Sequence, residues 1–494
     1  MSAPPPWVSH KIATYERPLG CMENFYTALR SPDGAPGHWI IVSATKFKHN
    51  GSLSKEDMIS LLRDAWITLR LLEPQIAATS IKETKMKRYQ TLDGAALVLW
   101  ANKTFLIHTD GSTANEYFET VTASAEAVMH YFPQSAELLV QISHDLLDGR
   151  GMLIFWNLFY AIVSVNSSND NTLTGRHSQP EDDVARLTPS MEELLGVPSV
   201  VTPQGMSAAE NALLPFLTPF NERLGMPLKG AISPPSAKSC RCEVRLSTET
   251  TSKITAVCKS LGMTVTTAWH AAVILATNAL SLGSKGTTED NDDDEETMDL
   301  EDAVADDAKS PQAGSDLRYV SFANFDLRQY LERRNGDTDP VRSLMCCHTA
   351  FITDITVTTK DGMGKAFEAV VSQLQHFYAH AVREGLKNFA AFAAVTLEKF
   401  ATGQIQSTAP VLSSLGVLEN FMASSYGKDW EIEDVWIADT MMTPEIEAFL
   451  WTWRGRMVLS GCWNAAYYNE EEVMRLLKKT VEIMGIGLGV DLST

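Results

Sequence analysis

The chain has 494 residues, more than one compact core usually holds, so its length predicts two or three packed lobes. With 45% hydrophobic and 21% charged residues, the composition excludes a wholly disordered, collagenous or disulfide-knot protein. The net charge of −20 argues against binding to nucleic acid or to an anionic membrane.

Much of the acidity belongs to one segment. Twelve acidic residues and no Lys or Arg lie between Glu289 and Asp307. We expect a disordered acidic insert at about residues 284–315, because a low-complexity run of like charges cannot build a packed core. The rest of the chain is only mildly acidic, so the insert says little about an active surface.

The cysteines and the apolar runs indicate a cellular compartment. Seven cysteines form no CxxC pair, which predicts free thiols in a reducing environment. Residues 1–20 lack the apolar segment of a secretory signal, and the longest apolar run, Met152–Val165, is too short to span a bilayer. We therefore expect a cytoplasmic protein with no membrane partner.

Helices and strands alternate through the first third of the chain. Ser54 is a good N-cap for a helix that ends near Leu72. The other elements predicted here are strands at 38–47 and 138–142, a hairpin made of 97–100 and 104–108, and helices at 22–29, 114–131 and 151–165. This alternation is typical of α/β or α+β layers.

A connection separates this part from a second structured half. Residues 197–235 carry seven prolines and little periodicity, which predicts a long crossing segment. Beyond it we expect strands at 242–246, 319–325, 411–414, 430–436, 448–453 and 457–463, and helices at 248–261, 265–280, 366–382 and 470–484. The predicted organisation is an N-terminal lobe (1–195), a Pro-rich crossing (196–239) and a C-terminal lobe (240–494).

The motif that carries chemistry is His144-Asp145-Leu146-Leu147-Asp148-Gly149, of the form HxxxDG. Chance would produce about 0.04 such matches in a chain of this composition, and here the motif lies between a buried strand and an apolar helix. A neutral imidazole is the natural base for a hydroxyl at neutral pH, so His144 is the candidate base. Asp148 more plausibly braces the loop through a cation, and Gly149 allows a tight turn. The alternative is a loop histidine followed by an aspartate that caps a helix.

Other motifs favour structure over chemistry. Gly485, Gly487 and Gly489 are not followed by a helix, so a nucleotide site is not predicted. His376 and His380 are spaced for one helix face, but no Glu completes a zinc motif. Residues 346–348 (Cys-Cys-His) are expected to pack in the core or line a tunnel wall rather than to bind metal.

The HxxxDG motif and its context resemble the chloramphenicol-acetyltransferase-like superfamily, which includes BAHD acyltransferases and condensation domains. Ser143 stands where condensation domains usually carry a second histidine, which favours a free-standing acyltransferase. Within the superfamily the chain is most similar to fungal O-acetyltransferases of the trichothecene 15-O-acetyltransferase type. The segments that carry this likeness are Tyr15–Gly20, Leu69–Gln75, Tyr319–Leu331, Ser413–Gly416 and Ser460–Tyr468.

The resemblance implies two pseudo-symmetric α/β lobes with a tunnel between them. The resemblance implies that acyl-CoA enters from one face and a small-molecule acceptor from the other, and that His144 would deprotonate a hydroxyl of the acceptor. Ser413 or Ser414 matches the position that stabilises the oxyanion, and Arg328 is the implied partner of Asp148. The acceptor pocket could include His270, in a predicted helix, or Asn464, in the late hairpin.

The same resemblance implies an O-acyltransferase, and more narrowly an O-acetyltransferase, of secondary metabolism. Acetyl-CoA or another acyl-CoA would be a co-substrate, with no tightly bound cofactor, no metal and a monomeric chain. Two alternatives stay open at this point. One is a condensation-domain-like enzyme that uses His144 without CoA for cyclisation, dehydration or carbon–carbon bond formation. The other is a non-catalytic binder of a small molecule or carrier protein, which the intact motif disfavours.

Overall fold

The computed structural model describes residues 7–492 except 12, 168–182, 185, 220–221, 231–236, 284–316 and 332–344. The predicted acidic insert therefore lies outside the described residues.

The α-helices of the described residues are numbered in chain order. They are α1 (Cys21–Leu29), α2 (Lys55–Leu72), α3 (Gly94–Thr104), α4 (Ala114–Phe118), α5 (Gly149–Ser167), α6 (Met191–Leu195), α7 (Pro203–Leu213), α8 (Thr248–Ser260), α9 (Val265–Gly283), α10 (Met363–Gly385), α11 (Phe389–Ala401) and α12 (Glu470–Leu488).

The strands of the described residues follow the same convention. They are β1 (Val8–Lys11), β2 (Thr14–Pro18), β3 (Ile40–His49), β4 (Thr79–Ile81), β5 (Met86–Gln90), β6 (Phe105–Ile107), β7 (Val128–Phe132), β8 (Glu137–Ser143), β9 (Ser239–Arg245), β10 (Leu317–Asp326), β11 (His348–Val357), β12 (Val411–Val417), β13 (Ser425–Tyr426), β14 (Trp430–Asp439), β15 (Glu447–Trp453) and β16 (Arg456–Asn464).

Two six-stranded sheets form the centres of the two lobes. The N-terminal sheet has the order β13-β14-β3-β8-β7-β6, and the C-terminal sheet has the order β11-β10-β12-β15-β16-β9. A smaller sheet, β1-β2-β5-β4, lies beside them. Apolar side chains of α2 and α5 pack on the first large sheet, and those of α9, α10 and α12 pack on the second. The two-lobed α/β architecture predicted from the sequence is confirmed.

The chain crosses between the sheets near its C-terminal end. Strand β14 pairs antiparallel with β3, so Asp439 lies opposite Ile41 in the N-terminal sheet. Eight residues later Glu447 opens β15 in the C-terminal sheet, opposite Val411 and Cys462. Residues 440–446 therefore bridge the two lobes, and acidic groups at both ends of the bridge lie where the lobes meet.

The predicted hairpin at 97–108 is wrong. Residues Gly94–Thr104 form helix α3, because the Asp93 side chain caps it by accepting a hydrogen bond from the Ala96 N–H at 2.8 Å. Phe105–Ile107 then forms β6, which pairs parallel with β7 rather than turning back on its own segment. A short apolar run fits a helix as well as a strand, and the cap decided between them.

The predicted helix at 114–131 is also wrong beyond its first turns. Thr113 caps α4 as expected, but α4 ends at Phe118. Residues Val128–Phe132 form β7, where pairing with β8 overrides their local helical pattern. Pairing buries Met129 and Phe132 fully, and this burial outweighs the weak helix propensity of the segment.

The Pro-rich crossing contains a helix that its composition concealed. Pro203 is the first residue of α7, where the missing N–H has no partner to lose, and Thr202 caps the helix. Apolar side chains of α7 pack against α11. In the part of the chain that the structure describes, no helix is long and apolar enough to cross a membrane.

Candidate active site

His144 lies directly after β8, in the loop that leads to α5. Burial leaves it 7% exposed, and the loop sits where the two lobes face each other. Leu146 accepts a hydrogen bond from the Cys346 N–H at 2.9 Å, which ties this loop to the segment before β11. The loop therefore belongs to the N-terminal lobe but is held by the C-terminal one.

Two rings, which also contact each other, pack against the imidazole of His144. Tyr26, on α1, stacks on it with ring centroids 4.5 Å apart and an angle of 5° between the planes. His348, the first residue of β11, stacks at 4.6 Å and 27°. The Tyr26 hydroxyl and His348 Nε2 are hydrogen-bonded at 2.7 Å, which fixes the two rings relative to each other. These contacts hold the imidazole plane of His144 against the Tyr26–His348 pair.

Burial keeps this imidazole neutral. Loss of hydration lowers the pKa of His144 below its usual value, and the nearby His348 lowers it further, while the Asp439 carboxylate opposes both. Nδ1 of His144 is buried without a hydrogen-bond partner among the described residues, and this leaves Nε2 as the candidate for contact with a bound molecule. A neutral imidazole with one accessible nitrogen can accept a proton at neutral pH.

The structure places Arg328 against Asp148, as the resemblance implied. Arg328 Nη1 donates to Asp148 Oδ2 at 2.9 Å and to Asp326 Oδ1 at 2.8 Å, and Nη2 donates to the Met345 carbonyl at 2.6 Å. Arg328 is 1% exposed.

Asp148 accepts two further hydrogen bonds from backbone N–H groups. These come from Cys347 at 2.6 Å and from Gly151 at 2.7 Å. Burial alone would raise the pKa of Asp148, but Arg328 and these hydrogen bonds lower it to about 2. Asp148 is thus an ionised brace that joins the loop, α5 and β11, and it does not face a substrate as a base.

A second carboxylate braces the same loop from the other side. Asp145 is 1% exposed and accepts from the Ser80 hydroxyl at 2.5 Å, and its backbone carbonyl accepts from Lys87 Nζ at 3.0 Å. Ser143 donates to Asp145 as well. Because Ser80 and Lys87 belong to the small sheet, that sheet supports the His144 loop through hydrogen bonds to Asp145.

Gly149 has a different role from the predicted tight turn. It opens α5, and its φ is not in the left-handed region. A Cβ at this position would lie 2.7 Å from Cδ2 of Leu415 on β12. A side chain at this position would therefore require the end of the buried Leu415 side chain to move.

Two cavities meet at His144. The aromatic cavity has walls that include Phe25, Tyr26, Trp39 and Phe400. The serine cavity has Ser413 and Ser414 in its wall. The residues that line both cavities are His144, Asn324, His348, Asp439 and Glu447. A molecule in either cavity can therefore approach the same imidazole.

Three carboxyl groups line the aromatic cavity. Asp439, Glu445 and Glu447 are 3%, 6% and 2% exposed. Burial raises the pKa of Asp439 to about 6, an effect that His144 opposes, and raises that of Glu445 to about 6. Burial and the neighbouring Asp439 raise the pKa of Glu447 well above its usual value.

The two predicted serines lie in the serine cavity but differ in their contacts. Ser414 Oγ is 2.8 Å from the Thr266 hydroxyl of α9. The register of β12 against β15 shifts between Ser414 and Gly416, where Gly416 has a φ of 77°. This bulge turns the strand beside Gly149 and aims its side chains at the cavity.

His270 and Asn464 do not line either cavity at His144. His270 is fully buried in α9, with Nδ1 2.9 Å from the Tyr378 hydroxyl, so its role is packing within the C-terminal lobe. Asn464 donates to the carbonyls of Ala237 and Met441 and ties the end of β16 to neighbouring segments. The expectation that they form the acceptor pocket is not supported by their positions, because both amide and imidazole are engaged in the fold.

His144, Cys346 and His348 form the one cluster of potential metal ligands found in the described ranges. Their ligand atoms all lie within 4.8 Å of one another. All three are buried, and burial raises the pKa of the Cys346 thiol well above its usual value, which opposes formation of a thiolate. His348 is already bonded to Tyr26. The donor set fits a neutral base with packed neighbours better than a preformed metal site.

Sequence reasoning missed Tyr26, Asp439 and Glu447 and left His348 in a tunnel wall. These residues belong to α1, β14, β15 and β11, which no local motif connects. One signal was available: acidic residues at 439, 445 and 447 interrupt a region of buried strands. Charge at such positions needs a reason other than solubility.

The fold is shared with solved acyltransferase-like structures. TRI3 trichothecene 15-O-acetyltransferase from Fusarium sporotrichioides matches with a TM-score of 0.76, 18% identity and 99% of each chain covered. A condensation domain of the calcium-dependent antibiotic synthetase matches with a TM-score of 0.60, 11% identity and 97% of each chain covered. The chain has the two-lobed fold of chloramphenicol-acetyltransferase-like and condensation-domain proteins, and the resemblance drawn from the sequence is confirmed.

Among curated proteins, two fungal acetyltransferases are similar along most of the chain. Acetyltransferase pigO of Monascus ruber is 24% identical over 497 residues, covering 98% of each chain. O-acetyltransferase pigM of the same organism is 24% identical over 460 residues, covering 92% of this chain and 81% of its own. A relative from Epichloe uncinata, 25% identical over 531 residues and covering 98% of this chain and 97% of its own, is named a loline cluster transcription factor. No protein-family model matches. The acetyltransferase relatives support the predicted acyltransferase class.

Proposed function

We propose that the protein is an acyl-CoA-dependent O-acyltransferase, and more narrowly an O-acetyltransferase, that acts on a hydroxyl of a small-molecule secondary metabolite. The observation that carries the proposal is the junction of two cavities at a neutral, buried histidine. A reaction between two substrates needs such a meeting point, and general-base transfer needs such an imidazole. The acetyltransferase relatives support the same class.

The proposed reaction begins with the acceptor hydroxyl at His144. Nε2 takes the hydroxyl proton as the oxygen attacks the thioester carbonyl, which gives a tetrahedral oxyanion. The carbon–sulfur bond then breaks, and the imidazolium returns its proton to the leaving thiolate of CoA. Atoms and charges balance without an acyl-enzyme or a metal, so we propose neither, and the acyl-CoA acts as a co-substrate only.

Other residues hold this base and the intermediate in place. Tyr26 and His348 fix the ring plane, and the Asp148–Arg328 pair fixes the loop. A hydroxyl donor for the oxyanion is Ser413 or Ser414, both of which line the serine cavity. Asp148 is a positioning residue, because its oxygens are taken up by Arg328 and backbone N–H groups.

The presence of basic side chains favours the serine cavity for the thioester. Arg150 and Arg328 line it beside four carboxyl groups, and Arg150 lies 3.3 Å from Asp326 with a partly exposed side chain. The described residues that line the aromatic cavity include three carboxyl groups and no Lys or Arg. A CoA molecule carries several negative charges, so we place it on the Arg150 side and the acceptor in the aromatic cavity.

The test is acyl transfer in an extract of a host fungus. Wild-type protein and His144→Ala are incubated with and without acetyl-CoA, and free CoA and acylated products are followed by mass spectrometry. We expect a product that requires both acetyl-CoA and His144. His376→Ala, an exposed histidine on α10, is the matched control and should retain activity. A product that forms without acyl-CoA and gains no acyl mass would overturn the proposal.

One observation favours a second candidate. Asp439, with a pKa raised to about 6 by burial, borders the same two cavities as the neutral His144. An acid and a base at one place suit cyclisation, dehydration or carbon–carbon bond formation without CoA. The extract experiment separates the two, because such a product would depend on His144 but not on acetyl-CoA.

A further inference from the structure

Among the described residues, no Lys or Arg forms an ion pair with the three carboxyl groups of the aromatic cavity. Oδ1 of Asp439 and Oε2 of Glu445 are buried and have no hydrogen-bond partner among the described residues. Glu447 Oε1 accepts from Asn324 Nδ2 at 3.0 Å. The main partners that act on the pKa of these groups are His144 for Asp439, hydrogen bonds from Thr443 and Ser407 for Glu445, and Asp439, Asn324 and Trp39 for Glu447. Burial of an ionised carboxylate without a partner is costly, so these groups point to something that the fold itself does not supply.

Aromatic side chains line the same cavity. Phe25 and Trp39 lie with ring centroids 5.9 Å apart, and Trp39 and Phe400 lie 5.5 Å apart. Faces of aromatic rings attract cations, most strongly in a desolvated site. Carboxyl groups and aromatic rings that line one cavity are together the chemistry that recognises an alkylammonium group.

Trp39 is held against this cavity by the bridge between the lobes. Its φ of 53° lies in the left-handed region, which a bulky residue adopts at a cost. The Trp39 N–H donates to the Thr440 carbonyl at 2.7 Å, and Thr440 follows Asp439 in the chain. The same backbone contact therefore positions the ring wall and the carboxyl wall relative to each other.

We propose that the acceptor carries a basic nitrogen, bound as its ammonium form between the Asp439 and Glu445 carboxylates and the aromatic wall. This inference rests on the proposed function, since it names the class of acceptor for the same site. The acceptor is thus an amino alcohol with its hydroxyl at His144. Glu447, next to Asn324, completes the acidic wall. The ammonium group of the ligand takes the position that a Lys or Arg partner of these carboxylates would occupy.

The test uses three probes of similar shape. These are 1-methylpiperidin-4-ol, which is protonated at pH 7.5, its quaternary 1,1-dimethyl analogue, and the neutral 4-methylcyclohexanol. Binding is measured by calorimetry and by the change in tryptophan fluorescence. We expect both cationic probes to bind at least about tenfold more tightly than the neutral alcohol, because a charge-assisted contact in a buried site is worth that much.

Variants assign the preference to the carboxyl wall. Asp439→Asn and Glu445→Gln, alone and together, should bring the ratio of affinities toward one, while the folded protein keeps its melting temperature or gains. Glu433→Gln, an exposed glutamate on the same strand as Asp439, should keep the ratio. Equal or tighter binding of the neutral alcohol, or a ratio that the double variant leaves unchanged, would refute the inference.

The extract experiment keeps the two proposals separate. An acylated product without a basic nitrogen would uphold the O-acyltransferase and overturn the amino-alcohol acceptor. Selective binding of the cationic probes, with a His144-dependent product that needs no acyl-CoA, would uphold the cation site and overturn acyl transfer.

Discussion

Arg328→Met tests whether the buried ion pair, rather than the motif alone, maintains the site. Methionine has a similar length and no charge, so the change leaves Asp148 ionised, 3% exposed and without its cation. Breaking such a buried pair costs about 3–5 kcal/mol. The pKa of Asp148 gives a second estimate of this contribution to the free energy of unfolding. Because that pKa is lowered from 3.8 to about 2, the contribution is about 2–3 kcal/mol.

The matched control is Arg318→Met. Arg318 pairs with Asp354 across β10 and β11, but the two side chains are 40% and 32% exposed, so its loss should cost less than about 1 kcal/mol. Both variants are unfolded by urea and by heat at pH 7. We expect a large loss of stability only for Arg328→Met, with acyl transfer falling as the His144 loop loses its anchor.

The pH dependence has a defined sign. The folded-state pKa of Asp148 is depressed, so its contribution to stability is present above the unfolded value and is lost as the pH falls from about 4 to about 2. The gap between wild type and Arg328→Met should therefore narrow over that range. Asp148→Asn combined with Arg328→Met should cost less than Arg328→Met alone, because it removes the stranded charge. Equal costs for Arg328→Met and Arg318→Met would refute this reasoning.

Four further predictions follow from the site. Because burial lowers the pKa of His144, kcat/KM for acyl transfer should stay constant from pH 8 down to pH 6.5 and fall only below; a fall that begins above pH 7 would contradict a neutral buried base. Asp439→Asn should stabilise the protein at pH 8 by up to about 3 kcal/mol. The reason is that the folded-state pKa of Asp439 is raised, so the native protein loses stability as the pH rises from about 4 to about 6 and this carboxyl group ionises. Thermal melts at pH 4 and pH 8 measure the effect, and no gain at pH 8 would contradict it. Gly149→Ala should cost about 1–3 kcal/mol of stability through its clash with the Leu415 side chain, and adding Leu415→Ala should relieve part of that cost. Urea titrations of the two single variants and the double variant measure this, and costs that simply add would show that there is no clash. Dialysis against EDTA should leave acyl transfer unchanged in a CoA-release assay, because the proposed steps need no metal; lost activity that Zn²⁺ restores would assign a role to the Cys346 cluster.

Local patterns predicted most of the elements because burial and local preference agree there. Helix α2 begins at the Ser54 cap, and its buried face includes Leu62, Trp66 and Leu69. Strands β15 and β16 form the hairpin predicted around Arg454. The two wrong elements lie in the N-terminal half, where β6 and β7 exist through pairing with distant strands that a short window cannot contain.

The site was predictable only where a motif spans it. His144 and Asp148 belong to one short segment, and Arg328 entered through the family resemblance. Tyr26 and His348 are 118 and 204 residues away from His144 in the chain and meet it only because α1 and β11 are packed against the loop. Residues that meet in a pocket from several separate elements have no fixed spacing in the sequence, so no motif predicts them.

The bridge between the lobes explains why the acidic groups nevertheless share one place. Asp439 ends a strand of one sheet and Glu447 begins a strand of the other, so a segment of seven residues carries both to the junction. The backbone fixes their position, and both side chains are buried there. On the other side of His144, each buried acid of the loop has a basic partner, as Asp148 has Arg328 and Asp145 has Lys87. Basic side chains thus pair with the carboxylates that position the His144 loop. Among the described residues, no Lys or Arg pairs with the carboxyl groups that line the aromatic cavity. That contrast is why the acidic wall is better explained by a cationic ligand than by the stability of the fold.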